Sequence, residues 1–182
     1  MNSMEMKGPI GVKIALGRLE KAGYEAYIVG GSFRDFLLGE TPFDWDISTS
    51  ATPEEVQSIF RGYRQLDTGL KHGTVMVLIG KKLIEITTYR IDDQYSDGRR
   101  PDRVIFTTDI GLDLARRDFT INAFAVSVRG GKIIDPFHGR RDLKNRIIRC
   151  VGDPKERFAE DALRILRGIR FASVLNFEVE NE

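Results

Sequence analysis

One cysteine, two histidines and no apolar run of membrane-spanning length narrow this chain of 182 residues before any motif is read. A lone Cys150 excludes an intramolecular disulfide and agrees with a reducing, cytoplasmic setting. His72 and His138 do not stand with it at any zinc-binding spacing. The apolar stretches fall short of the roughly 18 residues a spanning helix needs, so no membrane partner is expected. The chain has no G-x-G-x-x-G and no G-x-x-x-x-G-K-[ST], which leaves a dinucleotide-binding fold and a P-loop unsupported. Internal repeats and low-complexity tracts are also missing.

What remains is the composition of an ordinary globular protein, 41% hydrophobic and 30% charged, long enough to bury a core. The acid-containing N-terminus reads as an amphipathic helix, neither signal nor transit peptide. A net charge of +1 conceals an asymmetry: between Arg116 and Arg170 stand 14 Lys and Arg against 7 Asp and Glu. Such a surplus suits an anionic partner, either nucleotide phosphates or a nucleic-acid backbone.

Periodicity predicts a helix over residues 10–23 with Ile10, Ile14, Leu16 and Leu19 apolar, then a short strand "AYIVG" broken at Gly30-Gly31. A two-turn helix "SFRDFLLG" and a strand "DWDIST" follow. Because strand side chains alternate, Asp44 and Asp46 are expected on one face. "TPEEVQSIF" carries the marks of a helix start: a capping Thr52, Pro53 and acids in the first turn. "TVMVLI" and "LIEITTYR" read as a hairpin, "IDDQYSDGRRPDRV" as a loop, and "IGLDLARRDFTINAFAVSV" as a helix running into a strand that "GGKIID" closes. "DPKERFAEDALRILRGIRFASVL" reads as one long helix with Phe158, Ala162, Ile165, Leu166 and Ile169 inward. The expected fold class is α/β (α+β): a mixed or antiparallel sheet flanked by helices.

The chemistry gathers at the acids. Asp44 and Asp46, about 7 Å apart along a strand, repel each other unless a cation holds them, and a hard ion such as Mg²⁺ favours carboxylate oxygens. Glu85, central in another predicted strand, supplies a third acid if the strands are neighbours. Three acids around Mg²⁺ suit activation of an attacking hydroxyl and a pyrophosphate leaving group. The Gly-Gly turn lets backbone N–H groups at Gly31 approach phosphate, and Arg34 adds a charge-assisted contact. Together these features read as a nucleotidyltransferase site.

The fragments "GGSFRD", "DWDI", "EITTYR", "YSDGRRPD", "ARRDFTINA" and "RFAEDALRILRGIRFA" occur in this order. The set resembles the bacterial-type (class II) tRNA nucleotidyltransferase and poly(A) polymerase family of the polymerase-β-like superfamily, from about Tyr24 to Leu175. One departure is Ser32-Phe33, where the family usually has a larger apolar residue followed by Val. The resemblance implies an N-terminal helix over 1–23, a catalytic head over 24–150 and, over 151–182, the start of a helical neck carrying the base-recognition motif. It also implies that Asp44 and Asp46 hold Mg²⁺ with Glu85 as third acid, and that Arg117 binds phosphate. Asp118 and Asn122 would meet ribose or shape the pocket, and the "SDGRRPD" loop would assist a switch from C to A addition.

Within the resembling helix, Asp161 and Arg164 are three residues apart and are expected to project together. A carboxylate accepts from an exocyclic amine and a guanidinium donates to ring acceptors, so such a pair would select cytosine and adenine without a template. Arg167 and Arg170 would reach the triphosphate. The implied activity is template-independent addition of C and/or A to the 3′ end of tRNA, with CTP and ATP as partners. Alternatives are a poly(A) polymerase, a CC- or A-adding specialist, or a non-catalytic nucleotide- or RNA-binding module. Family members usually run to about twice this length, so a neck, body and tail, or a partner chain, would complete the grip on RNA.

Overall fold

The computed structural model describes residues 8–93, 103–127 and 131–181. Helix α1 spans Ile10–Lys21 and buries Val12, Ala15, Leu16 and Leu19, while Ile10 and Ile14 turn outward. Strand β1 (Ala26–Val29) ends where Gly30, at φ +66°, swings the chain into α2 (Gly30–Leu37). Strand β2 is shorter than expected, Asp46–Thr49. Helix α3 (Pro53–Ile59) starts with a complete capping box: Glu55 N–H donates to Thr52 Oγ1, and Thr52 N–H donates to the Glu55 carboxylate at 2.8 Å.

A meander follows, of β3 (Arg64–Gly69), which periodicity did not reveal, β4 (Thr74–Ile79) and β5 (Lys82–Thr88). Strands β6 (Arg90–Asp93) and β7 (Arg103–Phe106) pair as a separate ribbon, so the ends of the expected loop are extended; residues 94–102, with the whole of "YSDGRRPD", lie outside the described residues. Then come α4 (Ile110–Ala115), a 3-10 turn at Thr120–Asn122, β8 (Ala125–Val126) and β9 (Ile133–Ile134). The chain ends through α5 (Gly139–Asn145), β10 (Ile147–Ile148), α6 (Pro154–Glu160), α7 (Leu163–Leu175) and β11 (Glu178–Val179).

The main sheet has seven strands in the order β3-β4-β5-β2-β1-β8-β9. Within this sheet, among the described residues, β2 and β5 run parallel and every other neighbouring pair is antiparallel. This is the expected mixed sheet. Ile28, Ile47, Val75, Val77, Ile84 and Ile86 point to one face, where α1 and α3 cover them with Leu16, Leu19, Val56 and Phe60. Each such side chain contributes about 1.5–3 kcal/mol on burial. Alternation then sends Asp46, Ser48, Glu85 and Thr87 to the opposite face. Phe33 enters this core edge-to-face with Phe124, 5.1 Å between centroids.

The expected long C-terminal helix is two helices. Asp161 is extended (φ −144°, ψ 101°), and its carboxylate accepts from Leu163 N–H at 2.9 Å, a local bond that competes with helix continuation. The break rotates the expected stripe out: Ile165, Leu166 and Ile169 are exposed, and α7 turns Arg164, Gly168, Phe171, Ala172 and Leu175 inward. A second core of Phe119, Ile121, Leu143, Ile148 and Phe177 receives it.

Gly139 marks the tightest packing, since an added Cβ would stand 2.0 Å from the Thr120 carbonyl oxygen. Gly139→Ala is expected to lose about 1–3 kcal/mol of stability, read as a lowered urea midpoint at unchanged slope.

Candidate active site

Strand register builds the site. Asp46 is the Cα partner of Glu85 across the parallel β2–β5 pair, so the two carboxylates share a face on adjacent strands. Asp44 is not on the strand. It lies exposed in the bend before β2, because β1 offers no partner beyond Val29, which already pairs with Asp46. Its charge still reaches both other acids. Burial, and then Asp44, push Asp46 above the usual carboxylate range against the pull of Arg117. Burial, and then Asp46, do the same to Glu85, with Asp44 adding and Arg90 opposing.

Asp46 stands at the junction of two cavities. One, of about 340 Å³, holds Glu85, Ser48 and Thr87. The other, about 560 Å³, is floored by Gly30 and Gly31 and walled by arginines. At Gly30 an added Cβ would be 3.1 Å from Arg117 Nη1 and 3.7 Å from Asp46 Oδ2, so the bare backbone keeps this corner open. Ser32, at the departure from the family pattern, is buried; its hydroxyl donates to the Val29 carbonyl at 2.8 Å and fastens the turn.

The larger cleft gathers every other residue that the sequence singled out as nucleotide-binding: Arg34, Arg117, Asp118, Asp161, Arg164, Arg167 and Arg170, together with Asn122. Their arrangement differs from expectation at the helix. Asp161 and Arg164 both line the cleft, but Asp161 stands at the break before α7 and not on one helix with Arg164. Arg164 is buried, with Nη1 donating to Glu160 at 2.8 Å and Nη2 to the Arg116 carbonyl at 3.3 Å. Arg167 is paired with Asp118, Nη2 to Oδ2 at 2.6 Å. Arg34 Nη1 donates to Asn122 Oδ1 at 2.9 Å, and Asn122 Nδ2 donates to Asp118 at 3.4 Å. Arg170 is exposed at the cleft edge. His72 gives its carbonyl to Arg90 Nη1, and His138 stands at the N-cap of α5 in a left-handed conformation (φ 58°); neither is among the residues that line the cleft. Cys150 is buried, and burial raises its thiol to about 11.

Asp113 was not anticipated. It is fully buried on α4 and accepts from Arg116 Nε at 3.0 Å, Arg117 Nη2 at 3.1 Å, Ser48 Oγ at 3.4 Å and the Arg90 backbone N–H at 3.3 Å. Burial alone would raise its carboxyl, yet the Arg116 and Arg117 guanidinium groups outweigh that and hold it below its usual range. The available signal was its spacing, three and four residues before those arginines on a helix. Asp113→Asn leaves two guanidinium groups short of their counter-charge and is expected to cost about 3–5 kcal/mol at neutral pH. A depressed folded-state pKa contributes stability above the unfolded value and loses it as pH falls through the folded one. The parent–variant difference in melting temperature should therefore shrink below about pH 4.

Residues 26–149 match the model of the poly A polymerase head domain. The CCA-adding enzyme of Lactobacillus helveticus is 54% identical over 167 residues, 92% of this chain and 41% of that protein. That of Ligilactobacillus salivarius is 55% identical over 165 residues, covering 91% and 40%. The crystal structure of the Bacillus stearothermophilus CCA-adding enzyme in complex with CTP superposes with a TM-score of 0.86 at 45% identity, over 96% of this chain and 42% of that one. The chain thus spans about two-fifths of the length of the curated relatives it matches. With the ordered motifs and the head fold both in place, the chain belongs to the poly A polymerase head domain family, that of the class II tRNA nucleotidyltransferases.

Proposed function

We propose that the chain is the catalytic head of a CCA-adding nucleotidyltransferase, which joins C and A to the 3′ end of tRNA from CTP and ATP. The observation that carries this reading is the Asp46–Glu85 register, set where a glycine-floored, arginine-walled cleft begins. In the reaction the terminal hydroxyl of the RNA attacks the α-phosphate, its proton is lost, and pyrophosphate leaves. Asp44, Asp46 and Glu85 are the acids at the reacting end. Arg117 lies beside Asp46, and its buried Nε has no hydrogen-bond partner among the described residues, a donor suited to a phosphate oxygen. Arg34, Arg167 and Arg170 supply further positive charge along the cleft. Asp118 fits a ribose or pocket-shaping role, while Asp161 and Arg164 read the base edge, Arg164 after exchanging its present partners. Residues 151–182 are then the start of the neck, joined to the head over 24–150 through the second core.

The acid set fits Mg²⁺. Burial raises both Asp46 and Glu85, Asp46 raises Glu85 further and Asp44 raises each, a repulsion a hard divalent ion relieves. Among the described residues no three His, Cys, Asp or Glu form a ready-made metal cage, as suits an ion whose remaining ligands are water and substrate phosphate. Asp44 and Asp46 would hold it, with Glu85 beside them. A bound Mg²⁺ supplies charge that acidifies the attacking hydroxyl and steadies the pyrophosphate. No helix among the described residues is long and apolar enough to cross a membrane. The proposed substrates, tRNA and nucleoside triphosphates, put the work in the cytoplasm.

Incubated with tRNA lacking its 3′ terminus, Mg²⁺ and single or mixed NTPs, the chain should incorporate C and A and stop at CCA. An open-ended A tail would mean a poly(A) polymerase, and incorporation unchanged in Asp44→Ala/Asp46→Ala would remove the enzymatic reading. Stability gives an independent readout. Because Asp46 sits above its usual range, its ionised form is unfavourable in the fold, and Asp46→Asn should raise the melting temperature at neutral pH without metal. That gain should fade as pH falls toward 4, where the parent carboxyl takes up its proton. Added Mg²⁺ should raise the melting temperature of the parent and much less that of the variant.

A further inference from the structure

Phe171 stands on the inward side of α7, half-buried, at the wall of the arginine cleft. Two guanidinium groups lie over its ring: Arg34 Cζ is 5.2 Å from the centroid and Arg167 Cζ 5.3 Å. Phe119 meets the same ring edge-to-face at 5.8 Å and 85°, anchoring it to the second core. The two arginines come from different helices, α2 and α7, and are also joined by a polar path. Arg34 bonds Asn122, Asn122 bonds Asp118, and Asp118 accepts from Arg167. Phe171 closes that path into a ring of contacts.

An arginine side chain loses much rotamer freedom when a ligand fixes it, and two guanidinium groups held near each other repel. An aromatic face opposes both effects, because its negative quadrupole attracts each cation and holds its plane before any ligand arrives. Among the described residues Asp118 is ion-paired with Arg167, and Asp35, bonded to Arg34 Nη2 at 2.7 Å, is ion-paired with Arg34. Phe171 is the side chain that both arginines share as a stacking surface.

We propose that Phe171 is a positioning residue for nucleotide binding, setting the Arg34 and Arg167 guanidinium groups in the cleft before a triphosphate enters. The inference rests on the reading of this cleft as a nucleoside triphosphate site. It acts through phosphate-directed charge, so CTP and ATP are affected alike.

The test is a titration of the 182-residue chain with labelled CTP and with labelled ATP in Mg²⁺. Phe171→Leu retains an apolar contact for Phe119 but no π face, and should weaken both nucleotides about tenfold. Phe171→Tyr restores the face and should bind within about twofold of the parent. In an Arg34→Gln/Arg167→Gln background, itself weakened, Phe171→Leu should cost nothing further. If Phe171→Leu binds like the parent while the arginine variant is weakened, the inference falls and the cleft reading stands. Equal loss from Phe171→Leu in both backgrounds, or no rescue by tyrosine, makes the ring merely structural and overturns it. If the arginine variant binds as the parent does, the cleft reading falls and takes the inference with it.

Discussion

Asp46 and Glu85 face each other because β2 and β5 run parallel in a register that also pairs Ile47 with Ile86. The two sets are inseparable. The isoleucines are buried in the main core, and a slip of one residue would carry the acids into it and the isoleucines into the cleft. The cost of inserting carboxylates into that interior is far larger than the repulsion between them on the polar face. The hydrophobic side of the sheet thus holds together two groups that would otherwise separate.

Opposite the acids, positive charge is distributed on a scaffold that satisfies part of it in advance. Asp113 takes Arg116 and Arg117 from within the fold, and Asp118 and Glu160 take Arg167 and Arg164 at the wall. Arg117 has a buried Nε with no hydrogen-bond partner among the described residues. The cleft is therefore neither neutral nor uncommitted. Its arginines are held by partners of graded burial, from the fully buried Asp113 to the more accessible Glu160. Exchange of a partner for a ligand phosphate is easiest where burial is least, since an uncompensated buried charge is the costly case.

Much of this was legible along the chain. The turn at Gly30-Gly31, the capped α3, the β4–β5 hairpin and the two-sided character of β5 follow from local preference and period, which need no tertiary partner. The ordered motifs marked the cleft residues themselves. Other features depended on partners distant in sequence. Strand β3 has no clean alternation and exists because β4 pairs with it. The apolar residues of α7 divide into a face that meets Phe119 and Phe177 and one that is exposed, a division that helical period alone cannot assign. The break at Asp161 is a contest between a capping carboxylate and helix propagation, decided where α6 and α7 turn against the head.

The sequence by itself determined the identity of the reactive groups and their spacing along each element, because residue type and backbone period are local properties. Tertiary structure decided which of those groups meet: Asp46 opposite Glu85 but Asp44 off the strand, Asp161 at a helix break before Arg164, and Asp113 and Phe171 drawn in beside the arginines. Those outcomes rest on strand register and core packing, where energies are shared between residues far apart in the chain and no single segment encodes the result.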